Sequence, residues 1–150
     1  MIRSRIQICT NCELCNNMKV SPIATEFFGA KPSVLIICGS KPTDVTDASQ
    51  EVISGSERKI LVDLFYKTKK EFAITFLVKC KPNPTYKKKH IQECIKWISK
   101  EIDVIKPSKI IGLGADVQKY CPNLCGLYLP APALSLNNKK SINKIIEYIQ

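Results

Sequence analysis

Apolar residues come in short blocks, and two periods can be read in them. Val34-Leu35-Ile36-Ile37-Cys38 is an unbroken apolar run between Pro32-Ser33 and Gly39-Ser40. A run of this length bounded by turn residues reads as a strand buried on both faces. Residues 73–78 form a second run, rich in β-formers. Residues 109–113 give a third strand and residues 127–129 a short fourth. Between these runs the period becomes helical. Ile60, Leu61, Leu64 and Phe65 mark residues 56–69, and residues 115–120 make a short helix. Ile91, Ile95, Ile98, Ile102 and Ile105 recur at steps of four and three over residues 88–105, until Pro107 ends the pattern. Ile142, Ile145, Ile146 and Ile149 mark residues 141–150. The polar stretch 40–54 offers no packing face and reads as a loop. Strands alternating with helices predict a three-layer α/β/α fold around a central, mostly parallel four-stranded sheet.

Length and composition fit this pattern and add where the charge lies. The 150 residues suit one domain, residues 1–150, with residues 1–33 as a cysteine-bearing segment packed on it. No apolar run reaches the roughly 18 residues of a membrane span. Met1-Ile2-Arg3-Ser4-Arg5 opens without the apolar stretch of a secretion signal, which predicts a cytoplasmic or nucleoid-associated protein with no membrane partner. Of the net charge of +10, +6 falls between residues 79 and 109. Lys79, Lys81, Lys87, Lys88 and Lys89 crowd one loop and the start of a helix, where cations oppose the helix dipole. A local basic patch favours a polyanion such as nucleic acid. The competing reading is a solvated helix face.

Eight cysteines without a secretion signal point to metal ligation rather than disulfides. Cys9 and Cys12 form a CxxC, with Cys15 one step further. Cys80 follows a strand, and Cys94 lies on the apolar stripe of the 88–105 helix. Four thiolates from three segments, Cys9, Cys12, Cys80 and Cys94, suit a [4Fe–4S] cluster, with Cys15 in reserve. Zinc is the rival, although thirteen residues between Cys80 and Cys94 make no knuckle. Cys38 reads as core, and Cys121 and Cys125 as unrelated small residues. His90 is the only histidine, so no His-based triad can be written. Gly112-Leu113-Gly114 is at most half a dinucleotide fingerprint.

From Cys9 to about Ser135 the order of features resembles the family 4, iron–sulfur uracil-DNA glycosylases. Cys9-Thr10-Asn11-Cys12-Glu13-Leu14-Cys15 looks like that family's N-terminal cysteine segment. Ile74-Thr75-Phe76-Leu77-Val78-Lys79-Cys80-Lys81-Pro82 is similar to its I-T-N-x-V-K-C-R-P motif, and Pro107-Ser108-Lys109-Ile110-Ile111-Gly112-Leu113-Gly114 to its P-K-x-I-x-x-L-G stretch. The resemblance implies the glycosylase fold, a cluster and DNA as partner. It adds Lys41 and Ser135 to the lysines as DNA-contacting residues.

The catalytic motifs depart from the family. Its acidic residue falls on Ser40, in Gly39-Ser40-Lys41-Pro42, and its uracil-stacking phenylalanine near Ile53. Its base-reading asparagine falls on Phe76, and its histidine near Ala133. Losing one donor to the departing uracilate alone costs about 3–4 kcal/mol of transition-state stabilisation. The implied function is an inactive glycosylase-like protein serving as a DNA-binding or assembly module, with partners in a replication, repair or transcription assembly. Two alternatives stay open. One is an active glycosylase drawing its carboxylate from Asp44 or Asp47. The other is a protein–protein adaptor whose lysines only solubilise it.

Overall fold

The computed structural model describes residues 2–150; Met1, part of the N-terminal reading above, lies outside the described residues. Five strands form one sheet: β1 (Glu26–Phe28), β2 (Val34–Cys38), β3 (Phe72–Phe76), β4 (Lys109–Leu113) and β5 (Leu127–Leu129), in spatial order β1-β3-β2-β4-β5. Pairs β2–β3, β2–β4 and β4–β5 are parallel, and β1 runs antiparallel to β3. All five side chains of β2 and of β3 are buried, as expected of parallel strands covered on both faces.

Alternation along the strands divides the core between two faces. Val34, Ile36, Cys38, Phe72, Ile74 and Phe76 pack with α3 (Gly55–Thr68) and α7 (Lys139–Ile149). Leu35, Ile37 and Ala73 pack on the other side with α4 (Lys88–Ile105) and α5 (Ala115–Tyr120). The three-layer prediction and the helices at 56–69, 88–105 and 115–120 match these elements, with end shifts of a residue at most. The 141–150 helix begins two residues earlier.

Three expectations need correction. The sheet has five strands, because the edge strand β1 is too short, and too polar at Glu26, to show in the pattern. It is held by stacking of Phe28 on Phe72, with ring centroids 4.4 Å apart, and by Arg58, 2.5 Å from Glu26 and 4.6 Å from the Phe28 ring. The polar stretch 40–54 holds a helix, α2 (Asp44–Ser49), started by a reciprocal cap between Thr43 and Thr46. The N-terminal segment is partly regular: α1 (Ile2–Gln7) buries Ile2 and Ile6 against Ala24 and Trp97, and a 3₁₀ turn covers Glu13–Asn17.

The two glycines of the partial fingerprint serve packing. A Cβ on Gly112 would lie 2.8 Å from a Val117 methyl and 2.9 Å from the Tyr128 ring, so glycine lets α5 approach β4. Gly114 has φ +123°, and a Cβ there would lie 3.3–3.4 Å from the Gly39 backbone. Chain order reverses here. From β2 the chain moves outward to β3, then crosses back to β4 on the other side of β2, which places the topological switch point at Gly39 and Gly114.

Candidate functional site

Three segments bring five cysteines around one cavity. Cys9 follows α1 and turns back so that its N–H donates to the Ile6 carbonyl at 3.0 Å. Cys12 and Cys15 come from the 3₁₀ turn, Cys80 from the loop after β3, and Cys94 from α4. All five line the cavity with Trp97, and none forms a disulfide. Two of the sulfurs accept N–H donors. The Trp97 indole Nε1–H lies 3.3 Å from Cys9 Sγ, and the Lys79 backbone N–H lies 3.3 Å from Cys94 Sγ.

Burial raises the Cys12, Cys80 and Cys94 thiols, and neighbouring cysteines raise each of them further. A cation bound among these sulfurs would instead lower them. Among the described residues no group of three or more His, Cys, Asp or Glu side chains is placed to hold a metal ion. Thiols spread around a cavity, with N–H donors on two sulfurs, are chemically suited to a polynuclear cluster. Cys38, Cys121 and Cys125 lie away from this cavity as buried core residues.

His90 fastens the cysteine turn to α4. It is buried; its Nδ1 accepts the Lys87 N–H at 3.1 Å, so Nε2 carries the proton and donates to Glu13 at 2.6 Å. That hydrogen bond holds the Glu13 carboxyl down at about 2. Tyr86 ties the basic loop to the same centre by donating its hydroxyl to the Cys80 carbonyl at 2.7 Å.

Lys87, Lys88 and Lys89 are exposed at the start of α4, and Lys81 is partly exposed and paired with Asp44. Lys41 stands over the Tyr86 ring, 5.7 Å from its centroid. Two residues expected on this face are elsewhere. Lys79 is 1% exposed, and its ammonium lies 3.0 Å from Glu101 Oε1, 3.0 Å from Thr75 Oγ1 and 2.5 Å from the Phe76 carbonyl. Thr25 donates to the other Glu101 oxygen at 2.5 Å. A lysine enclosed in this way serves the core and reaches no phosphate. Ser135 is buried as well, and its hydroxyl donates to the Pro130 carbonyl at 2.6 Å.

The positions that depart from the family motifs lie along the carboxyl edge of the sheet. Ser40 is exposed just past β2. Phe76 ends β3 at 2% exposure and packs in one core cluster with Cys38, Ile53 and Leu129. Ala133 is exposed in the short helix α6 (Pro132–Ser135), whereas Leu129, at the end of β5, is the residue of that segment that shares the core with Phe76. The two aspartates weighed as a catalytic carboxylate differ in placement. Asp47 is buried and accepts the backbone N–H groups of Lys19, Val20 and Ser21 at 2.6, 2.9 and 3.4 Å. Asp44 is held by Lys81, which also lowers its carboxyl.

Trp97, Tyr86 and Glu13 were missed in the sequence. Trp97 alone left a signal, three positions after Cys94 and so on the same helical face.

Fold and site together define a class: an open α/β domain with a topological switch point at the carboxyl edge of its sheet and a basic loop anchored to a cysteine-lined cavity. The model of the uracil DNA glycosylase superfamily matches residues 26–150, and the chain belongs to that superfamily. It is also 25% identical over 125 residues to the type-4 uracil-DNA glycosylase of Pyrobaculum aerophilum, an alignment covering 80% of this chain and 64% of that protein. The chain thus spans under two thirds of this relative's length. The resemblance to the type 4 branch rests on both matches.

Proposed function

We propose that this chain is an iron–sulfur, uracil-DNA glycosylase-like protein that does not excise uracil and acts as a DNA-binding or assembly module. The observation that carries this is Phe76. A glycosylase must house a flipped base and read its edge with hydrogen bonds. Here the strand end carries a ring with no donor or acceptor, 2% exposed and part of the same core cluster as Cys38, Ile53 and Leu129. The enclosure of Asp47, whose carboxylate is taken up by three backbone N–H groups, supports the same reading against an active enzyme.

Cys9, Cys12, Cys80 and Cys94 would hold the cluster, with Cys15 beside them. The bound group would supply a structural cross-link, joining the N-terminal segment to α4 and to the loop after β3. DNA would lie against Lys81, Lys87, Lys88 and Lys89, with Lys41 alongside, and the protein would work in the cytoplasm or on the nucleoid within a replication, repair or transcription assembly. Among the described residues no helix is long and apolar enough to cross a membrane.

The test is an excision assay on uracil-containing single- and double-stranded oligonucleotides, run beside a binding assay on the same DNA. The expected result is salt-sensitive binding without base release. Robust release of uracil overturns the inactive reading, and absence of binding at low salt leaves the adaptor. For the metal, Cys94→Ala should bleach anaerobically purified protein and Cys121→Ala should not. The reverse outcome refutes the ligand set, and a colourless protein with bound zinc replaces the cluster.

A further inference from the structure

The buried indole N–H of Trp97 poses a question of its own. A buried N–H needs an acceptor, and Trp97 has found only the Cys9 sulfur, at 3.3 Å. A neutral thiol is a weak acceptor, whereas a thiolate is a strong, charged one. The backbone N–H of Lys79 stands in the same relation to Cys94. Ligation to a metal gives a sulfur that charge, and both N–H groups already point at sulfurs that would carry it.

The placement of Trp97 is over-determined. It sits one helical turn after Cys94, its ring packs with Ile2, Ile6 and Ala24, and Lys100 lies 4.7 Å from its outer face. α1, which delivers Cys9, closes over that ring, so the indole cannot turn its N–H to water without undocking α1. The same α4 stripe is locked to β3 further along. Lys79 grips α4 at two points seven residues apart, through its backbone N–H at Cys94 and its ammonium at Glu101. Ligand, donor and anchor thus recur on α4 at Cys94, Trp97 and Glu101.

We propose that Trp97 is a positioning residue for the metal centre: its indole N–H fixes the Cys9 sulfur as a ligand, raises the reduction potential of the bound cluster and slows its loss. The inference rests on the cluster reading above. A hydrogen bond to a ligand sulfur draws charge from it and so favours the reduced, more negative form of the cluster. The same bond removes rotamer freedom that Cys9 would otherwise have to lose on ligation.

Trp97 is the only tryptophan in the chain, so every tryptophan-directed method addresses this one site. The experiment compares wild type, Trp97→Phe, and protein grown with benzothienylalanine, an isostere whose sulfur replaces the N–H. The readouts are iron and sulfide content, midpoint potential by optical titration, and the rate of cluster loss to a chelator. Wild type should carry the cluster, its tryptophan fluorescence quenched and recovering on chelation. The isostere should shift the potential negative and speed cluster loss several-fold. Complete loss of the cluster from isostere protein with unchanged circular dichroism supports the assignment equally. An isostere matching wild type in potential and release rate overturns it while leaving the cluster reading intact. Wild-type protein without iron or sulfide overturns both. Should Trp97→Phe fail to fold, the isostere decides.

Discussion

Single side chains at the carboxyl edge of the sheet show how alike structural and catalytic residues look in a sequence. Asp47 sits in a polar stretch and is available for chemistry on paper, yet in the fold it gathers three backbone N–H groups from residues 19–21. Hydrogen bonds to a charged acceptor contribute about 1.5–3 kcal/mol each, and removing Asp47 takes the acceptor from three part-buried N–H groups at once. Asp47→Ala should therefore destabilise the protein by about 3 kcal/mol or more, read as a lowered urea midpoint, without changing DNA affinity in proportion. Phe76→Ala should cost about 3–5 kcal/mol because it empties a packed site. Phe76→Asn should be destabilising as well, and by itself should not restore uracil release in the excision assay. Lys79 and Ser135 carry the same lesson. Each lies in a stretch read as facing DNA, but a side chain's direction depends on which way the chain bends after the strand. β3 ends at Phe76 rather than at residue 78, and that bend turns Lys79 inward.

Among the elements, legibility followed length and period. β2, the β3 core and the 88–105 helix were readable because each has several apolar positions at one spacing. α1 and α2 have six residues each and β1 has three, so none spans enough turns or alternations to show a period. Their order comes from tertiary contacts: α1 on Trp97, β1 on Phe72 and Arg58, and α2 on its cap and Asp47. The element junctions offer two further tests. Gly112→Ala would press a methyl into Val117 and Tyr128, and overpacking of this kind costs about 1–3 kcal/mol. The thermal midpoint should fall. Lys79→Met should leave Glu101 charged, buried and unpaired, a loss of about 3–5 kcal/mol. The double variant Lys79→Met, Glu101→Leu should recover most of it, and a failure to recover in chemical denaturation would show that the pair does more than satisfy itself.

For the whole molecule, charge and sheet topology set what it can meet. If Lys87, Lys88 and Lys89 each neutralise a phosphate, replacing all three by Ala should flatten the dependence of log K on log salt by about 2–3, since each contact on duplex DNA contributes about 0.9 to that slope. An unchanged slope would move the DNA surface elsewhere. The grouping of Cys9, Cys12 and Cys15 was legible because their spacing is local, whereas the arrival of Cys80 and Cys94 at the same cavity is a product of the tertiary fold. The filled strand end was legible only through the departures from the family motifs, because a pocket is made by residues far apart in sequence. The sheet itself carries one more consequence. Both of its borders, β1 and β5, are three residues long. An unpaired border is where a foreign chain adds itself by backbone hydrogen bonding, and borders this short offer such a chain almost nothing to pair with. Short borders of this kind leave the side chains of helices and loops as the surface open to any partner, and they guard the fold against extending its sheet into a neighbouring copy.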